Sequence, residues 1–176
     1  VIPSIYLGIY VIVEVKAHLK VTDEGRVVIE KCLDQEFCAN LVRIGVADLR
    51  GNVELLEALH LLATRRIAIE GKTGWEEALK YARKFNIKLS LFMVYHDLRK
   101  KGRKAKLGTR PGTLILNIGS RRTEILVLEE GVLMTLEDLA EWSRSSMSSG
   151  YEPVIAIVDR YGVITYYEAR AVNSIT

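Results

Sequence analysis

The chain has 176 residues, about half of them hydrophobic and a quarter charged, with a formal net charge of +3. That is the balance of a globular protein with room for one ordinary domain or two small ones, without a low-complexity tract or internal repeat, and so small a net charge says little about partners. Cys32 and Cys38 are the only cysteines, and His18, His60 and His96 are scattered away from them, so no four-ligand zinc set is indicated and no metal is expected.

The mostly apolar start, Val1 to Val13, is bounded by Pro3, Glu14 and Lys16. It is too short to span a bilayer and no basic stretch precedes it, so it reads as strand and the expected location is cytoplasmic, without membrane association. In that compartment the two cysteines are expected as reduced thiols. A single glutamine among many Lys, Arg and Glu leans toward a thermophilic source.

Val11–Val21 and Gly25–Glu30 read as strands around a Thr22-Asp-Glu-Gly25 turn, and Leu41–Val46 as another short strand. Asn52 is expected to cap a helix from Val53 to about Ala63, with Leu55, Leu56, Leu59 and Leu62 as its buried stripe. Arg66–Glu70 follows as strand. Thr73-Gly-Trp-Glu76 has the form of a capping box opening a helix with Trp75, Ala78, Leu79 and Ala82 on one face and Asn86 at its end. Ser90 starts the next helix, with Leu91, Val94, Tyr95 and Leu98 inward and Gly102 as its stop. Arg103–Leu107, Thr113–Ile118 and Arg122–Leu128 are three short strands. Thr135 caps a helix that Gly150 ends, Val154–Val158 is a buried strand, and Val163–Ala169 is the last strand after an Asp159–Gly162 turn. The expected class is α+β or α/β: a small mixed N-terminal domain, 1–89, and a C-terminal nuclease-like domain, 90–176, with a central mixed sheet flanked by helices.

The second half carries a Tyr-x-x-Asp-Leu-Arg-x-x-Gly core at Tyr95, Asp97, Leu98, Arg99 and Gly102. A basic strand follows with Lys104 and Lys106, then a Gly-x-x-x-Gly turn at Gly108 and Gly112. With Val154-Ile-Ala-Ile-Val-Asp159, Gly162-Val-Ile-Thr-Tyr-Tyr167 and the Leu-rich helix at 55–62, the chain over most of 50–172 resembles the archaeal tRNA-splicing endonuclease (tRNA-intron endonuclease) family. Catalytic members cut RNA without metal or cofactor: the ribose 2′-hydroxyl attacks the adjacent phosphate, and a Tyr, a His and a Lys serve as base, acid and stabilising cation. The resemblance puts the Tyr at Ile118 or Asn117, the His at the start of Arg121-Arg-Thr-Glu-Ile125 and the Lys in Gly150-Tyr-Glu-Pro153. No histidine follows His96 and no lysine follows Lys106. The resemblance therefore implies a structural subunit with no catalytic residues of its own. It would assemble two plus two with a catalytic subunit that cleaves precursor tRNA at bulge–helix–bulge elements.

Two docking features are implied by the same resemblance. Glu129 and Glu130 match an acidic loop that enters the opposing subunit. Val163, Thr165 and Tyr167 lie on a closing strand that pairs with its counterpart in the partner. The run Arg99, Lys100, Lys101, Arg103, Lys104, Lys106, Arg110 holds no acid, and could meet either RNA phosphates or the partner's acidic loop. Asp97 and Arg99 read as a structural ion pair or cap. Three rival readings stand beside this one: a metal-dependent nuclease using Asp48, Glu70 and Lys72; an interaction module unrelated to RNA; and catalysis by Tyr151, Tyr166 or His96.

Overall fold

The structure is a computed structural model and describes residues 13–169. The chain divides between Glu77 and Ala78 into two compact units, each with its own sheet. This is the expected mixed α+β class, two mixed sheets flanked by helices.

The first unit contains β1 (Ala17–Val21), β2 (Val27–Cys32), α1 (Gln35–Arg43), β3 (Asn52–Val53), α2 (Leu55–Ala63) and β4 (Ile67–Ile69). The sheet order is β3-β2-β1-β4, with β1 and β4 parallel and the other pairs antiparallel. Leu56, Leu59 and Leu62 of α2 are buried as their spacing requires, and all three residues of β4 are buried.

Several local expectations fail here for identifiable reasons. Leu41 and Val42 belong to α1, not to a strand; Asp34 caps that helix, its side chain accepting from the Phe37 amide at 3.0 Å. Asn52 is the first residue of β3 rather than a cap, and α2 starts behind Glu54. The first strand begins at Ala17; the part expected before residue 13 lies outside the described residues. The Thr73 hydroxyl donates back to the Leu62 carbonyl at 3.3 Å, and the next helix starts at Trp75.

The cysteines are also not reduced thiols: Cys32 and Cys38 form a disulfide. The helical start at residue 35 folds the chain back on β2 and brings the two Cα atoms to 6.4 Å, inside bridging range. The bond encloses the Asp34 cap, and Lys16 pairs with Asp34 at 3.1 Å. Reduction, or Cys38→Ser, is expected to cost about 2 kcal/mol for so short a loop. Urea unfolding with and without reductant checks this, and Cys38→Ser should make the reductant effect vanish.

The second unit holds most of α3 (Trp75–Lys84), then α4 (Leu89–Lys100), β5 (Ala105–Leu107), β6 (Thr113–Ile118), β7 (Arg121–Glu129), α5 (Leu136–Ser148), β8 (Glu152–Val158) and β9 (Ile164–Glu168). Ala78, Tyr81 and Ala82 form the buried face of α3, whereas Trp75 is largely exposed, contrary to expectation. The sheet runs β5-β6-β7-β8-β9 in sequence order. Neighbours are antiparallel except β7 and β8, whose parallel pairing follows from the α5 crossover between them. Five consecutive residues of β7, Thr123 to Val127, are buried, so both faces of the sheet are covered at its centre. On α4, Leu91, Phe92, Val94, Tyr95 and Leu98 are buried, and the helix lies against β5 to β8. Thr135 caps α5 as its position suggests, accepting from the Asp138 amide at 3.0 Å. Among the described residues, no helix is long and apolar enough to cross a membrane.

Candidate functional site

Three segments of the second unit meet at one end of its sheet. The end of β6 pairs with the start of β7 (Asn117 with Arg122, Ile118 with Arg121), and Thr123 of β7 pairs with Glu152 at the start of β8. The positions that the family resemblance assigned to Tyr, His and Lys are therefore brought together. What they carry is Ile118, Arg121, Arg122, Tyr151 and Glu152. Arg122 lies over the Tyr151 ring, 4.3 Å from guanidinium carbon to centroid, and donates to the phenol oxygen. Arg121 approaches Glu152 at 3.8 Å across exposed surface. Beside them opens a cleft of about 350 Å³ lined by Arg121, Met147, Tyr151, Glu152, Pro153, Val154 and Glu168. The corner thus offers guanidinium charge, one phenol and carboxylates, with neither imidazole nor lysyl ammonium.

The Asp-Leu-Arg core lies on α4 and is tied to the far edge of the sheet. The Asp97 carboxylate accepts from Tyr166 of β9 and from Lys101, each at 2.7 Å. Lys101 also sits over the Tyr166 ring at 5.1 Å. Burial works to raise the Asp97 pKa, but the bonds from Lys101 and Tyr166 together outweigh it and hold the carboxyl below its usual value. Burial, reinforced by Asp97, pushes the Tyr166 phenol well above the ordinary tyrosine range. Asp97 is thus a structural anchor. His96 is half-buried, edge-on to Phe92 at 5.9 Å, with its pKa lowered by that burial and by Lys100. It is a packing residue rather than a surface one.

These shifts fix the sign of a pH dependence. Asp97 stabilises the fold in full above 3.8, the carboxylate value of the unfolded chain, and the contribution fades as pH falls through the lower folded-state value. Tyr166 acts at the other end: above 10.0 the unfolded phenol ionises while the folded one keeps its proton, so stability falls as pH rises further. Asp97→Asn is expected to be less stable than the parent at neutral pH and to lose that deficit below about pH 4. Urea midpoints measured across pH check it; a constant gap would remove the carboxylate from the account.

The expected basic run is only partly available. Lys100, Arg103 and Lys106 are exposed, whereas Arg99 and Lys104 are half-buried. Arg110 turns inward, pairing at 3.0 Å with the buried Glu124 and donating to Ser145 at 2.8 Å. Lys101 belongs to the Asp97 cluster described above.

Of the docking residues, Val163, Thr165 and Tyr167 share one exposed face, alternating with Ile164 and Tyr166, which turn partly inward. Among the described residues no strand pairs with the outer side of β9. Glu129 accepts from the Ser90 hydroxyl at 2.9 Å, and Glu130 pairs with Arg160 at 3.6 Å, so both acids have partners inside the unit.

Asp48, Glu70 and Lys72 do not form a site. Asp48 organises its own turn, accepting from the Arg50 and Asn52 amides at 2.8 Å. Glu70 and Lys72 sit in the turn that ends β4, at the opposite edge of the sheet from β3, which is about 14 Å away at ordinary strand spacing. Among the described residues, no group of three His, Cys, Asp or Glu is placed to hold a metal ion.

None of the curated proteins matches the chain. One similar solved structure is a Holliday junction resolvase, Hjc, from the archaeal hyperthermophile Archaeoglobus fulgidus. It is 15% identical, covering 43% of this chain and 72% of that one, with a TM-score of 0.35, a likeness that carries nothing about chemistry. Residues 89–166, a little under half of the chain and wholly within the second unit, match the family model of the tRNA intron endonuclease, catalytic C-terminal domain.

Proposed function

We propose that this chain is the structural subunit of a tRNA-splicing endonuclease: it assembles with a catalytic subunit, two of each, and helps to present precursor tRNA to it. The observation that carries the reading is the corner where β6, β7 and β8 meet. It lies within residues 89–166, which match the tRNA intron endonuclease domain, yet the residues there are Ile118, Arg121, Arg122, Tyr151 and Glu152. An efficient general acid for a leaving ribose oxygen needs a pKa near the working pH. Arginine is effectively always protonated and does not give up a proton there, and no histidine follows His96. Val163, Thr165 and Tyr167 on the open edge of β9 support pairing with the partner, and Lys100, Arg103 and Lys106 support contact with RNA phosphate or with an acidic partner surface.

A second reading has its own observation. Tyr151, which takes a bond from Arg122, lines one cleft with Arg121 and Glu152, so the corner is not chemically bare. One experiment separates the two. A bulge–helix–bulge RNA is incubated in chelator with this chain, with a Tyr/His/Lys-bearing paralogue from the same genome, and with both. Cleavage leaving cyclic-phosphate ends is expected only in the mixture. Cleavage by this chain unaided, lost in Tyr151→Phe, would overturn the structural-subunit reading in favour of the second.

A further inference from the structure

Positive charge is concentrated in one stretch of the chain. Residues 78–128 hold thirteen lysines and arginines and only two acids, Asp97 and Glu124. Each acid already has a basic partner within the second unit, Lys101 for Asp97 and Arg110 for Glu124. The stretch keeps a large positive excess, the electrostatic footprint of a polyanionic partner.

Lys80, Arg83, Lys84 and Lys88 are the part of this excess that precedes the run at 99–110, and all four are exposed. On α3 the first three occupy the side opposite the buried Ala78, Tyr81 and Ala82. Lys80 and Lys84 stand over the Tyr81 ring, 6.0 and 5.7 Å from its centroid. The helix ends in a closed turn: the Asn86 amide bonds to the Arg83 carbonyl at 3.0 Å and the Ile87 amide to the Ala82 carbonyl at 2.8 Å. Lys88 follows on that fixed backbone. Two residues on, Ser90 bonds to Glu129 at the end of β7, about 23 Å along the strand from Arg122. Lys88 therefore lies toward the opposite end of the sheet from the β6–β7–β8 corner.

Helix electrostatics accounts for Arg83 and Lys84, which lie in the last turn of α3, with Glu76 and Glu77 in its first. It does not account for Lys88. That residue is the N-cap of α4, its side chain makes no cap bond, and no acid follows in the first turn; Glu129 meets that helix end through Ser90. Ser, Thr, Asn or Asp at the cap would stabilise the helix, whereas a cation opposes its dipole. A residue that local rules disfavour points to a use outside the fold.

Between 78 and 88 no aromatic side chain is exposed to stack an unpaired base, and no large apolar one to seat in a protein pocket; Leu89 beside them stands alone. Paired RNA, held through its backbone phosphates, fits such a face.

We propose that Lys80, Arg83, Lys84 and Lys88 bind the backbone of a base-paired stem of precursor tRNA, apart from the bulges at which it is cut. The identity of the RNA rests on the subunit reading above.

The assembly of this chain with the Tyr/His/Lys-bearing paralogue is titrated, over a range of salt, with a long-stemmed bulge–helix–bulge RNA and with a plain RNA duplex of about 20 base pairs. One variant is Arg83→Gln with Lys84→Gln and Lys88→Gln. A control removes equal charge from the first unit, Lys20→Gln with Lys31→Gln and Arg50→Gln. The first triple is expected to weaken binding of both RNAs about tenfold and to reduce the salt slope by about 2–3, the control to change neither. Lys88→Ser alone should raise the urea midpoint by supplying a cap while lowering RNA affinity, opposite directions that a purely structural role does not produce. Binding by the first triple equal to the parent's overturns the proposal, and so does an equal loss in the control, which assigns the effect to bulk charge. A loss confined to the bulge-containing RNA overturns the choice of a paired stem. Weaker binding to the paralogue with RNA affinity unchanged assigns the face to protein and overturns it as well. A parent mixture that neither assembles nor cleaves overturns the subunit reading; the duplex titration on this chain alone then decides the face by itself.

Discussion

Arg110→Ala is expected to lower the unfolding free energy by about 3–5 kcal/mol, the cost of stripping the partner from a buried charge. The charge left behind is Glu124, which is 3% exposed, sits in the central strand β7 and meets Arg110 at 3.0 Å. Alanine would leave that carboxylate without its counter-charge between strands whose backbone groups are already paired. It would also withdraw the bond to Ser145 of α5. Replacing both partners with apolar residues of similar volume, Arg110→Met with Glu124→Leu, should recover most of the loss, because no ion then needs compensation. Urea unfolding of the four species at neutral pH reads this as a double-mutant cycle. Arg103→Ala, on an exposed member of the same basic run, is expected to change stability by no more than about 0.5 kcal/mol. The contrast matters for RNA-binding assays, in which an Arg110 variant would lose binding through its fold and Arg103 would report on charge alone.

Gly108→Ala carries the second large effect. A methyl group built there lies 2.0 Å from Thr113 Oγ1, 3.0 Å from its Cβ and 3.2 Å from its carbonyl carbon. Thr113 cannot give way cheaply. It is 1% exposed, its hydroxyl donates to the Arg110 carbonyl at 2.8 Å, and its carbonyl accepts from the Gly108 amide at 2.9 Å. Overpacking against a stiff buried side chain is expected to cost about 3 kcal/mol. Gly112 closes the same turn for a different reason: its φ is +74°, and the nearest atom to an added methyl is 3.9 Å away. Gly112→Ala therefore carries only the left-handed backbone penalty of about 1–2 kcal/mol. The order of the two midpoints, Gly108→Ala below Gly112→Ala, is the check; the reverse order would mean that the turn rearranges freely.

Periodicity made the second unit readable wherever local chemistry and burial agree. Leu91, Val94, Tyr95 and Leu98 follow the helical stripe of α4, Thr135 and Gly150 bracket α5, and β8 is the apolar run 154–158 extended by two residues. The failures are places where a distant partner decides. Leu41 and Val42 have the apolar look of a strand, but Asp34 caps a helix that carries them, and the Cys32–Cys38 bond follows from where that helix starts. Arg110 reads as part of a basic run because its own segment holds no acid; its acid lies fourteen residues on, in the next strand but one after β5. The candidate corner was legible only as a set of missing residues. The Arg122–Tyr151 stack spans 29 positions and exists because the parallel register of β7 and β8 aligns their starts. Nothing in either local sequence announces it.

The antiparallel pairing of β9 on β8 has a bearing on synthesis and turnover. Val154–Val158 gains its second neighbour only after the Asp159–Val163 turn and β9 have left the ribosome, so for that interval an apolar strand stands at the border of the sheet. A nick in the turn, which carries the 84%-exposed Tyr161, would recreate that state in the finished protein. Quality-control proteases and holdase chaperones would meet this protein first at that seam.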